Sequence, residues 1–300
     1  MARDGYAWWY VDAVSDDGKD ALTVIAFVGS VFSPYYAAAR RRGAGDPLDH
    51  VSVNAILYTA RGKYWAMTER GKGSLERSAS RLAIGPSTLS WDGSRLTMDI
   101  DEWTMPLPRR LRGRVTLDTG PIFGEAHALD TAGRHRWRPI APCATASVAF
   151  EKPALAWQGQ AYIDMNFGSE PLEEGFRYWT WSRQSQAAAT RILYDVVQRD
   201  GARRHLALDY GRGGKVGRFT PPPVLALPRT GWQVARATRA DPGNPVRVAR
   251  TLEDTPFYSR SLLEGGDDGA QWIHESVDLD RFRSRWVQAL LPFKMPRRGR

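Results

Sequence analysis

Two short alternating motifs carry the side chains of this chain that could perform acid-base chemistry. The first places His135 and Trp137 two residues apart, and the second does the same with Tyr162 and Asp164. Residues i and i+2 of a β-strand point to the same face. Two such strands lining one cavity would therefore bring together an imidazole, an indole, a phenol and a carboxylic acid. That set of groups is suited to delivering a proton beside a developing cation.

Asp164 is the leading candidate for the acid, because Asn166 shares its predicted face and could hold the carboxyl group by hydrogen bonding. His135 could orient Asp164 and relay a proton. Asp164 and Glu170 could instead form the acid and base of a glycosidase, although Gly168 interrupts the strand between them. The histidines show no His-x-His or His-x-x-x-His spacing, so we expect no metal site.

The composition predicts a two-domain protein in a reducing compartment. The chain has 300 residues, of which 42% are hydrophobic and 25% charged, which is sufficient for two hydrophobic cores. Cys143 is the single cysteine, so there is no internal disulfide. The net charge of +9 favours contact with an anionic membrane. We expect no nucleic-acid partner, since zinc-finger spacing and an RNA-binding sheet motif are lacking.

The ends of the chain suggest attachment to a membrane without crossing it. The N-terminus lacks the apolar core of a signal peptide, and no run of 18 apolar residues occurs. Near the C-terminus an apolar segment, residues 286–293, precedes a basic collar of Lys294, Arg297, Arg298 and Arg300. We expect a cytoplasmic protein that associates peripherally with a membrane.

The sequence predicts β-structure for most of the chain. Residues 51–59 and 63–68 flank an Arg61-Gly62 turn and predict a hairpin, and similar strand-turn-strand patterns recur in both halves. Helical patterns are few, at residues 35–42 and 281–290. This repeated strand-turn-strand pattern favours antiparallel barrels or sandwiches. We predict two β-barrel-like domains, residues 1–150 and 151–300, joined near residues 143–158.

Aromatic residues open each predicted domain. Trp9 lies in the first strand, and Trp179 and Trp181 lie in a corresponding strand of the second half. β-proteins rich in tryptophan often line apolar cavities with indoles. We therefore expect these three tryptophans, with Asn166, to contact a hydrophobic substrate.

Five long segments of the chain match a known family: Gly5–Ala13, Ile25–Tyr36, Gly45–His50, Trp65–Arg70 and Tyr162–Arg183. Through them the chain resembles the carotenoid 1,2-hydratases, also called hydroxyneurosporene synthases, of purple photosynthetic bacteria. The resemblance runs nearly end to end, although the lead-in before Gly5 is short for that family.

The resemblance implies an all-β fold of two tandem lipocalin-like antiparallel barrels with few short helices. It implies acid-catalysed addition of water to the terminal C1=C2 double bond of an acyclic carotenoid such as neurosporene or lycopene, without a cofactor. The family's His-x-Trp and Tyr-x-Asp pairs fall on His135, Trp137, Tyr162 and Asp164. The resemblance also implies that the protein acts at the inner, photosynthetic membrane. A non-catalytic carrier of a hydrophobic ligand, or a cyclase or isomerase on the same fold, are the alternatives.

Overall fold

The computed structural model describes residues 1–265 and 270–298. It confirms the predicted all-β class: antiparallel strands form curled sheets, and the helices are few and short. Contacts divide the chain into two compact units. Unit 1 comprises Met1–Pro171 and Ala289–Arg300, and unit 2 comprises Leu172–Gln288.

Unit 1 contains thirteen strands in one antiparallel sheet among its described residues. In chain order they are β1 (Tyr6–Ser15), β2 (Ala21–Val28), β3 (Val51–Thr59), β4 (Gly62–Arg70), β5 (Leu75–Arg77), β6 (Arg81–Ile84), β7 (Ser87–Trp91), β8 (Arg95–Trp103), β9 (Arg110–Asp118), β10 (His127–Ala128), β11 (His135–Ala141), β12 (Thr145–Lys152) and β13 (Ala154–Gly168). The hairpin predicted from the Arg61-Gly62 turn is β3 with β4.

The longest strand, β13, organises the sheet of unit 1. One edge pairs with β1 along the whole length of β1, from Tyr6 opposite Gly168 to Ser15 opposite Gly159. The other edge pairs with β12 at its start and with β11 at its end. The sequence division at residues 150 and 151 assigned this strand to the second half of the chain. These pairings place it in unit 1.

The two faces of β1 and β13 differ in composition. Val11 and Ala13 of β1, with Ala161 and Ile163 of β13, belong to an aliphatic core that also includes residues of β2 to β4, β6 to β9, β11 and β12. The alternate residues, at positions 6, 8, 10 and 12 and at 162, 164 and 166, are aromatic or polar and point to the opposite face. The aliphatic core fixes the register that presents this second face, because a one-residue slip would exchange the two sets.

Unit 2 is built on a seven-stranded antiparallel sheet in the order β17-β16-β15-β14-β22-β21-β20, with β18 and β19 forming a separate pair. Its strands are β14 (Phe176–Ser185), β15 (Ala189–Gln198), β16 (Arg203–Gly211), β17 (Val216–Arg218), β18 (Val224–Leu227), β19 (Arg236–Arg239), β20 (Val246–Asp254), β21 (Tyr258–Gly265) and β22 (Ala270–Asp278).

The α-helices of the described residues are α1 (Pro34–Arg41), α2 (Leu172–Gly175), α3 (Leu279–Phe282) and α4 (Arg285–Lys294), and two 3₁₀ helices lie at Pro47–Asp49 and Lys72–Ser74. The helix α1 is well capped: the Ser33 side chain accepts hydrogen bonds from the backbone of Tyr35 and Tyr36, and Pro34 occupies the first turn. The pattern at 281–290 predicted one helix, and the structure has two, α3 and α4. No helix among the described residues has the length and apolarity needed to cross a bilayer.

The C-terminal tail is built into unit 1. Glu69 of β4 accepts a backbone hydrogen bond from Arg298 and donates one to Pro296, so the tail adds to the edge of the sheet. The Arg297 guanidinium forms ion pairs with Glu69 and with Asp49. Arg297, expected in a basic collar, is thus bound to carboxylates of unit 1. Arg300 lies outside the described residues.

Candidate active site

Asp164 lies at the centre of a buried hydrogen-bonded cluster on the aromatic face of unit 1. Its carboxyl oxygen Oδ2 accepts hydrogen bonds from the Trp137 indole, 2.7 Å away, and from the Tyr162 hydroxyl, 2.8 Å away. Tyr162 and Trp137 are fully buried, and Asp164 is nearly so. The structure therefore brings three of the four predicted catalytic groups into direct contact, from two neighbouring strands.

Strand geometry accounts for this contact. Tyr162 and Asp164 share a face of β13 by the alternation of side chains. In β11, Trp137 is directly opposite Asn166, which is two residues beyond Asp164. A long indole reaches such a diagonal neighbour across a strand pair, so its N–H meets the carboxyl group.

His135, the fourth predicted residue, is held by other partners. Its Nδ1 lies 2.9 Å from the Tyr6 hydroxyl and its Nε2 lies 3.1 Å from a carboxylate oxygen of Glu170. A carboxylate only accepts hydrogen bonds, so Nε2 carries the proton and Nδ1 accepts from Tyr6. The Arg134 guanidinium pairs with the same Glu170 at 3.0 Å.

Burial lowers the pKa of His135, and this effect outweighs the hydrogen bond to Glu170 and the charge of Asp130, which act in the opposite direction. The imidazole is therefore neutral near pH 7. Its ring stacks on Tyr6, which in turn stacks on Trp8. A neutral ring with both nitrogens hydrogen bonded is well fixed in orientation.

The predicted substrate-contacting residues occupy three places. Asn166 shares the face of Asp164, and its buried Oδ1 has no hydrogen-bond partner among the described residues. Trp9 lies on the other face of β1, where it packs against the aliphatic core. Trp179 and Trp181 are buried in β14 of unit 2. Contact of these tryptophans with substrate stays a prediction.

Sequence reasoning missed several residues of the cluster and considered Glu170 only as a partner of Asp164. Tyr6 and Glu170 bind His135, and Asp130 accepts a hydrogen bond from the backbone N–H of His135. Tyr10 and Asp12 also lie on this face, and the Tyr10 hydroxyl donates to Asp12 at 2.9 Å. One signal was available: residues 10 and 12 repeat the Tyr-x-Asp spacing of residues 162 and 164.

No group of three or more potential metal-ligating side chains is found in residues 1–265 and 270–298. The chemistry of the cluster is that of a carboxyl group with two neutral donors and aromatic faces. Such a cluster can transfer a proton and accommodate positive charge nearby.

The fold is that of the lipocalin-like proteins. A solved structure from Nitrosomonas europaea, described as an AttH protein, superimposes with a TM-score of 0.64 over 92% of each chain at 14% sequence identity. At that identity the likeness shows the fold alone.

Sequence comparison defines the family within this fold. The family model described as carotenoid hydratase CrtC matches residues 24–300, and the chain belongs to this family. The acyclic carotenoid 1,2-hydratase of Thiocapsa roseopersicina is 51% identical over 98% of this chain and 74% of the relative. That of Rubrivivax gelatinosus is 46% identical with the same coverage.

Proposed function

We propose that the protein is a hydro-lyase that adds water to the terminal C1=C2 double bond of acyclic carotenoids such as neurosporene and lycopene, giving 1-hydroxy-1,2-dihydro products. The family and the names of its relatives support the substrate class. The observation that carries the chemistry is the buried Asp164 carboxyl group held by Trp137 and Tyr162. Hydration involves no net oxidation or reduction, so the reaction requires no redox cofactor.

Asp164 protonates C2 of the alkene. Oδ2 accepts hydrogen bonds from Trp137 and Tyr162, so the proposed mechanism assigns the acid proton to Oδ1. The proposed mechanism requires Asp164 to begin each cycle as the neutral acid, the form that burial of a carboxyl group favours in general. The same environment opposes the charge that forms when the proton leaves.

Trp137 and Tyr162 offset that opposing effect. As the proton moves to C2, negative charge develops on the carboxylate, and hydrogen bonds to a charged acceptor are stronger than those to a neutral one. Both donors are in place before the reaction and need no reorganisation. They therefore stabilise the transition state more than the ground state, which is the requirement for catalysis.

Proton addition to C2 leaves a tertiary cation at C1, which water captures. The faces of Trp137 and Tyr162 can stabilise such a cation by up to ~2 kcal/mol when it is desolvated. His135 acts as a positioning residue in this scheme: its ring is fixed by Tyr6 and Glu170 and it precedes Trp137 by two residues on the same face of β11.

The decisive test incubates purified protein with neurosporene in ¹⁸O-labelled water and analyses the product. We expect the label in a new hydroxyl group, and we expect Asp164→Asn, which keeps the shape of the side chain, to lose product formation by orders of magnitude while remaining folded. Binding of carotene without conversion would indicate a carrier. A cyclised or isomerised product without added oxygen would indicate the other enzyme classes.

The second part of the proposal is peripheral contact with an anionic membrane, where the substrate dissolves. Trp286, Leu290 and Phe293 of α4 follow the i, i+4, i+7 spacing of one helix face, and they are 47%, 43% and 73% exposed. Trp232 stacks on Trp286 with ring centroids 6.2 Å apart, and Arg281 lies over the same indole. An apolar stripe with a basic flank is typical of interfacial helices.

Cosedimentation with vesicles of phosphatidylcholine and phosphatidylglycerol tests this contact. Replacing both Leu290 and Phe293 by serine should release the protein from the vesicles, since each buried apolar side chain contributes about 1.5–3 kcal/mol. Leu107→Ser is the matched control, because Leu107 is 69% exposed elsewhere in unit 1. Binding should require the anionic lipid and weaken with salt. Unchanged binding of the double variant would exclude the α4 stripe.

A further inference from the structure

The aromatic face of unit 1 contains a second copy of the Tyr-x-Asp arrangement. In β1, Tyr10 donates a hydrogen bond to Oδ2 of Asp12, as Tyr162 does to Oδ2 of Asp164 in β13. We propose that Asp12 is the base that takes the proton from the attacking water. This inference rests on the proposed hydration, whose acid is Asp164.

Strand pairing places the two Tyr-x-Asp copies side by side on one face of the sheet. β1 and β13 are antiparallel, with Tyr10 directly opposite Asp164 and Asp12 directly opposite Tyr162. Residues opposite each other in an antiparallel pair share a face, so all four side chains lie on one side of the sheet. The two aspartates are diagonal neighbours, a relation that puts their positions roughly 7–8 Å apart, with the Cβ atoms somewhat closer.

The side chains between the two carboxyl groups are in contact. The rings of Tyr10 and Tyr162 meet edge to face with centroids 6.1 Å apart. Asp12 is fully buried, and residues 11 and 13 on either side of it belong to the aliphatic core. A buried carboxyl group needs hydrogen bonds to offset its lost hydration, and the Tyr10 hydroxyl supplies one that helps to orient it.

The spacing fits an acid and a base that act on neighbouring carbons. The acid must reach C2, whereas the base must reach a water molecule beside C1. The positions of the two aspartates, roughly 7–8 Å apart as diagonal neighbours, are comparable with the separation of the two carboxyl groups in enzymes that activate water opposite a general acid.

Each step of the proposed reaction balances. The proton on Asp164 forms the new C2–H bond, and the π electrons of C1=C2 supply its electron pair, leaving C1 cationic and Asp164 as a carboxylate. A lone pair of water forms the C1–O bond, and one proton of that water passes to the Asp12 carboxylate. Transfer of this proton from Asp12 to Asp164 restores the starting state, so the net change is addition of one water.

The other polar groups of the cluster are less suited to the role of base. Both nitrogens of His135 are engaged, one as a donor to Glu170 and one as an acceptor from Tyr6. Glu170 is shared between His135 and Arg134. Asn166 can accept a hydrogen bond but is not basic.

The test separates the two proton transfers by running the reaction in D₂O. Without a base, the cation still forms but returns a proton from C2 to the Asp164 carboxylate. Recovered carotene then contains deuterium at C2 but no hydroxyl group. We expect Asp12→Asn to lower hydration by about 100-fold or more, with deuterium exchange into the substrate retained. Asp164→Asn should abolish both hydration and exchange.

Thr23→Val is the matched control, because Thr23 is buried on β2 directly opposite Asp12 and the substitution is nearly isosteric. It should leave the ratio of exchange to hydration unchanged. Hydration by Asp12→Asn at the wild-type rate, or equal loss of both reactions, would overturn the role of Asp12. If wild-type protein forms no hydrated product, the proposed function itself fails.

A second variant covers the case in which Asp12→Asn does not fold. Tyr10→Phe removes one hydroxyl group and with it the hydrogen bond that Tyr10 donates to the buried Asp12 carboxyl group. It should lower hydration by roughly tenfold, as expected for the loss of one hydrogen bond to a charged group, and leave exchange unchanged. A parallel fall in hydration and exchange would refute the proposal.

Discussion

Removing the donors to Asp164 one at a time measures their contribution to proton transfer. Tyr162→Phe deletes a hydroxyl group 2.8 Å from Oδ2, and Trp137→Phe deletes an indole N–H 2.7 Å from the same oxygen. A hydrogen bond to a charged group contributes about 1.5–3 kcal/mol. Each substitution should therefore lower kcat by roughly 10- to 150-fold, at ten-fold per 1.36 kcal/mol.

The effect should fall on kcat and leave KM nearly unchanged. The two donors are stronger partners for the carboxylate that forms in the transition state than for the neutral acid of the ground state. The variant lacking both should lose more than the product of the single effects, because in each single variant the remaining donor on Oδ2 compensates in part. The kcat of Asp164→Asn gives the residual activity with which the other variants are compared.

The assay is the initial rate of hydroxylated carotenoid formation, measured by chromatography over a range of substrate concentrations. Tyr36→Phe is the control, because its hydroxyl is also buried and donates one hydrogen bond, to the Gly5 carbonyl at 2.7 Å. It should cost about 1 kcal/mol of stability and leave kcat unchanged. A Tyr162→Phe protein with kcat within twofold of wild type would refute the argument.

Strand alternation was enough to predict which residues of one strand share a face. The pairs His135 with Trp137 and Tyr162 with Asp164 follow from the period of two, and the chemistry of the four groups led us to expect the two strands near each other. The hydrogen bond from Trp137 to Asp164 was not itself predicted. The Arg61-Gly62 turn likewise predicted the β3–β4 hairpin, since both signals are local.

The pairing of strands that are distant in the chain could not be predicted from side-chain alternation. A period of two does not tell which strand lies alongside, so the pairing of β1 with β13, and with it the approach of Asp12 to Asp164, was missed. Nor does it tell which face is aliphatic when both are buried, so the packing of Trp9 against the aliphatic core was not predicted. The charge pattern of the tail gave no sign that Glu69 would bind Arg297.

Three further outcomes follow. Arg297→Ala removes the guanidinium from the buried Glu69, whose carboxylate keeps the His50 imidazole as a neighbour, and should reduce the free energy of unfolding, measured by urea titration, by about 3 kcal/mol. Arg247→Ala, from a largely exposed pair, should cost under about 1 kcal/mol, and equal effects would contradict the first assignment. Burial lowers the pKa of His274 to about 4. Between about pH 6.5 and pH 4 the unfolded chain therefore binds a proton at this residue more readily than the folded chain does, and the free energy of unfolding should fall by ~3 kcal/mol as the pH decreases through that window. His274→Gln should flatten that part of the curve of stability against pH. Chelator-treated, dialysed protein should hydrate carotene under anaerobic conditions at the untreated rate, and activity that returned only with an added metal would argue against proton transfer by Asp164 alone.

Stability and chemistry are assigned to opposite faces of the same two strands. Val11 and Ile163 pack into the aliphatic core, while their neighbours Asp12, Tyr162 and Asp164 face the other way. The register that buries the first set is the register that aligns the second, so core packing holds the carboxyl groups at a fixed separation without contacting a ligand. A core truncation such as Ile163→Ala should cost about 2–5 kcal/mol of stability and is therefore expected to lower the temperature at which activity is lost. The ratio of deuterium exchange to hydration should stay unchanged, because that ratio depends only on the residues of the opposite face.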